Sequence, residues 1–293
     1  METKNTTKWY RYVLEAKLVT ENGLCISPAT GWIENPSGEY DKQDCERKAF
    51  ARLSEKIKKH FPRLPLCILA DRLYPYADVF GICEQNDWEF IFVLQDKSLK
   101  SVQEELILPR RQKPNLQTQK VDHNYWIDSS YHFVNDIVYQ NKYTLNWLQC
   151  TEKRTERTAT GKKTEREKKT STSNFEYVTN IRLATDILPA IATSGRLRWK
   201  IENEGFNTKK NNGYGLQHKY SRVSYTAMKN YYTLLQIAHL INQLTEKSRA
   251  VVELLKIHSK RTLKHLWNLM TDALIWCVVI TENADVKICG PAP

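Results

Sequence analysis

The chain has 293 residues, 41% of them hydrophobic, and a net charge of +11 with a pI near 9.2. That is enough apolar material for one large domain or two smaller ones, and the positive balance points toward a polyanionic partner. Seven scattered cysteines without a C-x-x-C pair exclude a disulfide framework and a zinc site as sequence signals. The opening METKNTTKWYRY has no apolar stretch of the kind that starts a secretory signal. The longest apolar run, ALIWCVVI at 273–280, falls far short of the ~20 residues that cross a bilayer. A soluble, cytoplasmic protein with reduced thiols is the expectation, with no membrane partner.

Residues 9–19, WYRYVLEAKLV, alternate and are rich in aromatic and branched side chains, which predicts a strand. Gly23 marks a turn, and CISPATGWIEN predicts the returning strand. Residues 44–59 place Phe50, Leu53 and Ile57 on one face of a helix. LPLCILAD at 64–71 is a short apolar run closed by an acid, the pattern of a buried strand with a carboxylate at its C-terminal end. A short helix over 75–86 and a strand at 88–94 follow, and this alternation says α/β.

From 95 to about 150 the pattern turns β-rich, with successive strands in YHFVNDIVYQNKYTLNWLQC and a turn at Gln140-Asn141. Residues 151–173 contain no large apolar residue and set eight Lys/Arg against four Glu, which predicts a disordered, solvated loop, with a flexible basic arm against phosphates as the alternative. FEYVTNIRL at 175–183 predicts a strand, followed by a helix ahead of Gly195. A strongly apolar helix at 226–244 reads as core, and a basic helix near 246–270 and a final apolar segment close the chain. Four regions are expected: a first part of the core at 1–94, the β-rich insertion at 95–183, a second part at 184–245 and a helical tail at 246–293.

Trp199, Ile201 and Phe206 make the segment beginning at Arg198 a partly buried helix. At about 100° per residue, Arg198, Glu202 and Lys209 share one stripe, while Glu204 lies far round the axis. Charges at this spacing are ordinarily surface pairs. On a partly buried helix, however, a carboxylate flanked by two cations has the chemistry to bind a metal and hold a phosphate. The seven histidines show no ligand spacing. Glu15 alternates with Leu14 and Ala16 and shares a face with Lys17, so a structural or solvated role is expected for it.

The string RWKIENEGFNTKKNNGYGLQHKYS resembles a block of the DDE-type insertion-sequence transposases, in the branch with a Y-x2-R-x3-E-x6-K signature. Arg198, Glu202 and Lys209 match R-x3-E-x6-K in register, and Gly195 stands at the signature tyrosine. YDKQDCERKAFARL is similar to the family's KQDCE helix, and ILADRLYPYADVF to the segment of its second catalytic aspartate, which falls at Asp71. The collinear resemblance covers roughly residues 10–245. It implies a ribonuclease-H-like α/β fold, a mixed sheet with helices interrupted by a β-rich insertion between Asp71 and the Glu202 helix. It also implies metal-dependent DNA cleavage and strand transfer, with Asp71 and Glu202 as catalytic ligands of Mg2+ or Mn2+. Arg198 and Lys209 would contact DNA phosphate.

The partners implied are transposon ends and target DNA in the nucleoid, with a homodimer on paired ends. The family's first catalytic aspartate lies on a strand upstream of the one matching residues 9–19, and no Asp precedes Asp41. A chain truncated at that strand is therefore expected, inactive until an upstream segment supplies it. The alternatives are a catalytically inactive remnant that only binds DNA or regulates, and a host nuclease of the same fold.

Overall fold

The computed structural model describes residues 12–20, 23–35, 44–95, 98–122, 125–156, 170–218, 220–221, 223–257, 262–275, 278–280 and 286–288. They form an α/β molecule of two compact units that divide between Thr208 and Lys209. The division falls inside the stretch 184–245 expected as one part of the core.

The first unit begins with a hairpin of β1 (Tyr12–Val19) and β2 (Cys25–Ile33), turned at Gly23, whose φ of 84° suits a residue without Cβ. Alternation splits β1 into two faces. Leu14 and Ala16 join the apolar cluster formed by Phe50, Leu53 and Ile57 of α1 (Glu46–His60). Glu15 and Lys17 point the other way and pair with each other in full burial, with Ser27 against Lys17. Glu15 is thus held inside the fold by Lys17 rather than solvated. Asp44 ties the end of β2 to the start of α1: its carboxylate receives the Glu34 N–H at 2.8 Å and Arg52 at 2.7 and 3.1 Å.

β3 (Cys67–Ala70) runs parallel to β4 (Glu89–Val93), with α2 (Ala77–Gln85) between them in sequence. Next come α3 (Lys100–Glu105) and a single tight turn at Pro109–Arg111, neither foreseen in the sequence, and then β5 (Leu116–Asp122). β6 (Tyr125–Tyr139), β7 (Tyr143–Glu156) and β8 (Thr170–Thr179) complete a mixed six-stranded sheet in the order β3-β4-β8-β7-β6-β5. Gln140 and Asn141, both at positive φ (53° and 52°), are the central residues of a β-turn closed by the Lys142 N–H on the Tyr139 carbonyl at 3.2 Å, between the paired Tyr139 and Tyr143. The expected loop at 151–173 is corrected at both ends: 151–156 and 170–173 pair as β7 and β8, while 157–169 lie outside the described residues.

Helices cover both faces of the β3–β4 pair. Ile68, Ala70, Phe90 and Phe92 face the cluster built with α1 and α2, while Leu69, Ile91 and Val93 face Leu188, Ile191 and Ala192 of α4 (Leu188–Leu197). The hairpin is covered in the same manner. One face meets α1; the other meets a π-helical segment, Ile201–Asn207, that continues the α4 run. A Cβ on Gly205 of that segment would lie 3.4 Å from Lys17 Cε and 3.5 Å from Cys25 Sγ, so glycine permits the close approach. Hairpin and large sheet share one apolar cluster, in which Leu14 and Ala16 join Phe50, Phe90 and Phe92. Yet β1 and β3 do not pair, and each keeps one edge without a strand partner among the described residues.

The second unit starts within α5 (Thr208–Asn211) and contains α6 (Tyr225–Glu246), α7 (Arg249–Ile257), α8 (Leu263–Ile275) and the short pair β9 (Val278–Ile280) and β10 (Val286–Ile288). Ser224 caps α6, its hydroxyl accepting the Ala227 N–H at 3.2 Å. The tail is thus two helices rather than one. None of the described helices is long and apolar enough to cross a membrane.

Candidate functional site

Asp71 follows the last residue of β3, where a parallel strand hands its backbone to the next connection. Its Oδ1 accepts the Leu73 N–H at 2.9 Å and its carbonyl accepts the Tyr74 N–H at 3.1 Å, so one carboxylate oxygen is fixed by a local turn. Oδ2 accepts no hydrogen bond among the described residues and remains available for a ligand.

Glu46, in the first turn of α1, lies within the field of this aspartate. Burial and, after it, the charge of Asp71 hold the Glu46 carboxyl above the usual carboxylate range. Tyr74 lies against Phe50, ring centroids 5.5 Å apart, and its phenol is pushed well up by burial, then by Glu46 and Asp71. Two carboxyls and a phenol thus lie within one another's fields near the start of α1 and the Asp71 turn. Glu46 was not singled out in the sequence, although it closes the KQDCE string.

Arg198 caps α4 at its C-terminus. Its guanidinium lies over the Trp199 ring at 5.2 Å, its Nε is buried without a hydrogen bond, and no carboxylate pairs with it among the described residues. The neighbouring Arg196 does have a partner, bonding Glu152 of β7 at 2.7 Å with the Glu152 side chain 3% exposed. Together the two arginines pull against the burial that raises the Tyr177 phenol. Gly195, which was expected to follow its helix, lies inside α4.

Glu202 is exposed on the π-helical segment. That segment corrects the uninterrupted stripe expected from the sequence, because i→i+5 turns hold more residues than α-helical ones and shift every later side chain. Such π turns recur at functional sites. Glu204, one turn from Lys200 at 3.9 Å, has a buried Oε2 without a hydrogen bond.

Lys209 departs furthest from expectation. It is fully buried, its ammonium donates to Gln236 at 2.6 Å and lies 5.7 Å from the Tyr232 ring centre. In this arrangement it meets an amide and an aromatic face, and a phosphate contact would require Gln236 to release it.

Among the described residues no three His, Cys, Asp or Glu side chains gather at metal-ligating distance. The donor chemistry at Asp71 still suits a hard cation: an oxygen without a partner beside a second carboxyl whose ionisation the first opposes. No family model and no curated protein matches this chain.

Proposed function

We propose that this chain is a transposase-like protein of the DDE type with a ribonuclease-H-like core, acting on DNA through metal-dependent phosphodiester chemistry. The observation that carries the reading is Arg198, a guanidinium with no carboxylate partner among the described residues, one turn before the exposed carboxylate of Glu202. An arginine so placed is a ready phosphate contact. Asp71 at the C-terminal end of β3 adds support, since ligands in α/β sheets sit at the carboxyl ends of strands.

Asp71 and Glu202 would hold Mg2+ or Mn2+, which when bound lowers the pKa of an attacking hydroxyl and steadies the leaving oxygen. Arg198 would orient the phosphate. Lys209, expected as a second phosphate contact, donates to Gln236 instead. Two carboxylates leave a pair of dications under-neutralised. An additional strand bearing a third carboxylate would need an edge to pair with, and β1 and β3 each have one without a strand partner among the described residues.

The second reading, a DNA-binding or regulatory remnant without catalysis, is favoured by the burial of Lys209. A transposon-end oligonucleotide in Mg2+ separates the two. The 293-residue chain should bind DNA with affinity falling steeply with salt and cut it little. Joining a segment that supplies a strand ending in aspartate should switch on strand transfer, and Asp71→Ala or Glu202→Ala should abolish it. Continued silence of the extended chain would support the remnant. Cleavage without end specificity would indicate a nuclease.

A further inference from the structure

Glu15 and Lys17 are an unusual choice for a strand face turned toward the protein. Both side chains are fully buried and paired with each other, and the Ser27 hydroxyl accepts from the Lys17 ammonium. A buried ion pair seldom adds stability over apolar residues of similar volume; what it can add is a single geometry. The Lys17 ammonium is confined to the place where Glu15 and Ser27 reach it.

The stem and head of this lysine face the π-helical segment. Lys17 Cε lies 3.4 Å from the point where a Cβ on Gly205 would stand, and Lys17 Nζ lies 5.9 Å from the centre of the Phe206 ring. From β2, the Cys25 thiol donates to the Lys200 carbonyl at 3.8 Å, at the entry of the segment. The hairpin therefore grips the segment at Lys200 and again at Gly205 and Phe206. Glu202 lies in the chain between the two grips, with its own side chain exposed.

π turns are rare, and IENEGFN has no local preference for them over α turns. Contacts from outside the segment must then decide how it winds. If they were released, the segment would be free to rewind as ordinary α-helix, and the direction of the Glu202 side chain would no longer be fixed.

We propose that Lys17, held by Glu15, is a positioning residue for Glu202: it seats the π-helical segment on the hairpin and so fixes where that carboxylate stands. The inference rests on the reading of Glu202 as a metal ligand, but the seating itself can be tested without metal or DNA. Two variants of the full chain are needed. Glu15→Met with Lys17→Met removes both charges at nearly constant volume. Phe206→Leu removes the ring and leaves the ion pair intact. Hydrogen exchange of the 201–207 amides reads the grip, and a titration with Mn2+ alone, followed by electron paramagnetic resonance of the free ion, reads the carboxylate.

In both variants the amides of the segment should exchange about tenfold faster, as loss of a desolvated cation–aromatic contact allows. Those of α4 should keep their protection, and the melting temperature should change little. Mn2+ affinity should fall in both variants, as it should in Glu202→Ala. Unchanged exchange in the segment would overturn the proposal. So would faster exchange with Mn2+ affinity kept at the wild-type level while Glu202→Ala loses it, since Lys17 would then be structural only. A wild-type chain without affinity for Mn2+ would instead overturn the metal reading, and the exchange contrast would still decide whether the pair holds Glu202 in place.

Discussion

The ring of Tyr177 on β8 lies directly against Gly195 of α4: a Cβ there would fall 2.5 Å from Cε1 and 2.7 Å from Cζ. Helix and sheet approach this closely only because the position carries no side chain. Its phenol also sits within the field of Arg196 and Arg198. An aromatic ring near the arginines thus comes from the strand, while position 195 on the helix carries no side chain.

Gly195→Ala should therefore destabilise the protein. Alanine is favoured over glycine in a helix by about 1 kcal/mol, but forcing a methyl into a ring that is 2% exposed overpacks the core. Overpacking costs about 1–3 kcal/mol, and at 2.5 Å the clash should prevail. Chemical denaturation measures the loss. Adding Tyr177→Ala should make the glycine substitution nearly neutral, whereas equal costs in both backgrounds would disprove the contact.

Arg196→Met removes the principal partner of a buried carboxylate. Arg154 remains, but at 3.5 Å from Glu152. Breaking one side of a buried pair costs about 3–5 kcal/mol, much more than removing both. The double variant Arg196→Met with Glu152→Gln should recover most of the loss in urea unfolding.

Asp44 and Glu46, two residues apart, should respond to pH in opposite senses. The Arg52 guanidinium, aided by backbone N–H groups, holds Asp44 below the usual carboxylate range. Its stabilising effect is present above the unfolded pKa and is lost as pH falls through the lowered folded value. Asp44→Asn should thus cost about 1 kcal/mol at neutral pH, allowing for the solvent around Arg52, and close to nothing in acid. Glu46 is raised, so its ionisation weakens the fold as pH rises from the unfolded to the folded pKa. Glu46→Gln should leave acid stability unchanged and improve neutral stability slightly. Thermal melts across pH would expose a wrong sign in either case.

The span 157–169 carries six of the basic residues of the stretch expected as a solvated loop, with a phosphate arm as the alternative. Replacing it by a short Gly/Ser linker should leave the melting temperature nearly unchanged, because β7 and β8 already pair up to Thr155 and Thr170. If the span contacts DNA, the slope of log affinity against log salt should flatten, since each lost phosphate contact removes about one counterion-release unit. An unchanged slope would leave the span without a DNA role.

Much of the first unit was legible from periodicity. α1 announced itself through Phe50, Leu53 and Ile57, β3 through an apolar run closed by Asp71, and the β6–β7 turn through Gln140-Asn141. The π-helical segment was not, because nothing in IENEGFN distinguishes it from an α-helix except Gly205, whose contact with Lys17 and Cys25 is tertiary. The strand ends at 151–156 and 170–173 were misread as loop because partner strands, not apolar side chains, hold them. Lys209 and α6 failed for one reason: hydropathy says which side chains prefer burial, but a hydrogen-bonded polar face such as Gln236, His239 and Gln243 of α6 can be buried as well. At the candidate site, the strand end carrying Asp71 was readable and its coupling to Glu46 was not, since α1 and β3 meet only in three dimensions.

The register that pairs Ile91 of β4 with Thr179 of β8 has a kinetic consequence. These partners are far apart in the chain, so joining them from an open coil would be an entropically slow closure. The strands β5 to β8 form a sequential meander that can assemble from neighbouring contacts alone. Once it has formed, the ends to be joined are already drawn together. Folding should therefore start in the middle of the sequence, with β4 adding late to the edge that β8 presents. On the ribosome, the hairpin, α1 and β3 emerge well before that edge exists, and they must wait with apolar faces uncovered until it does.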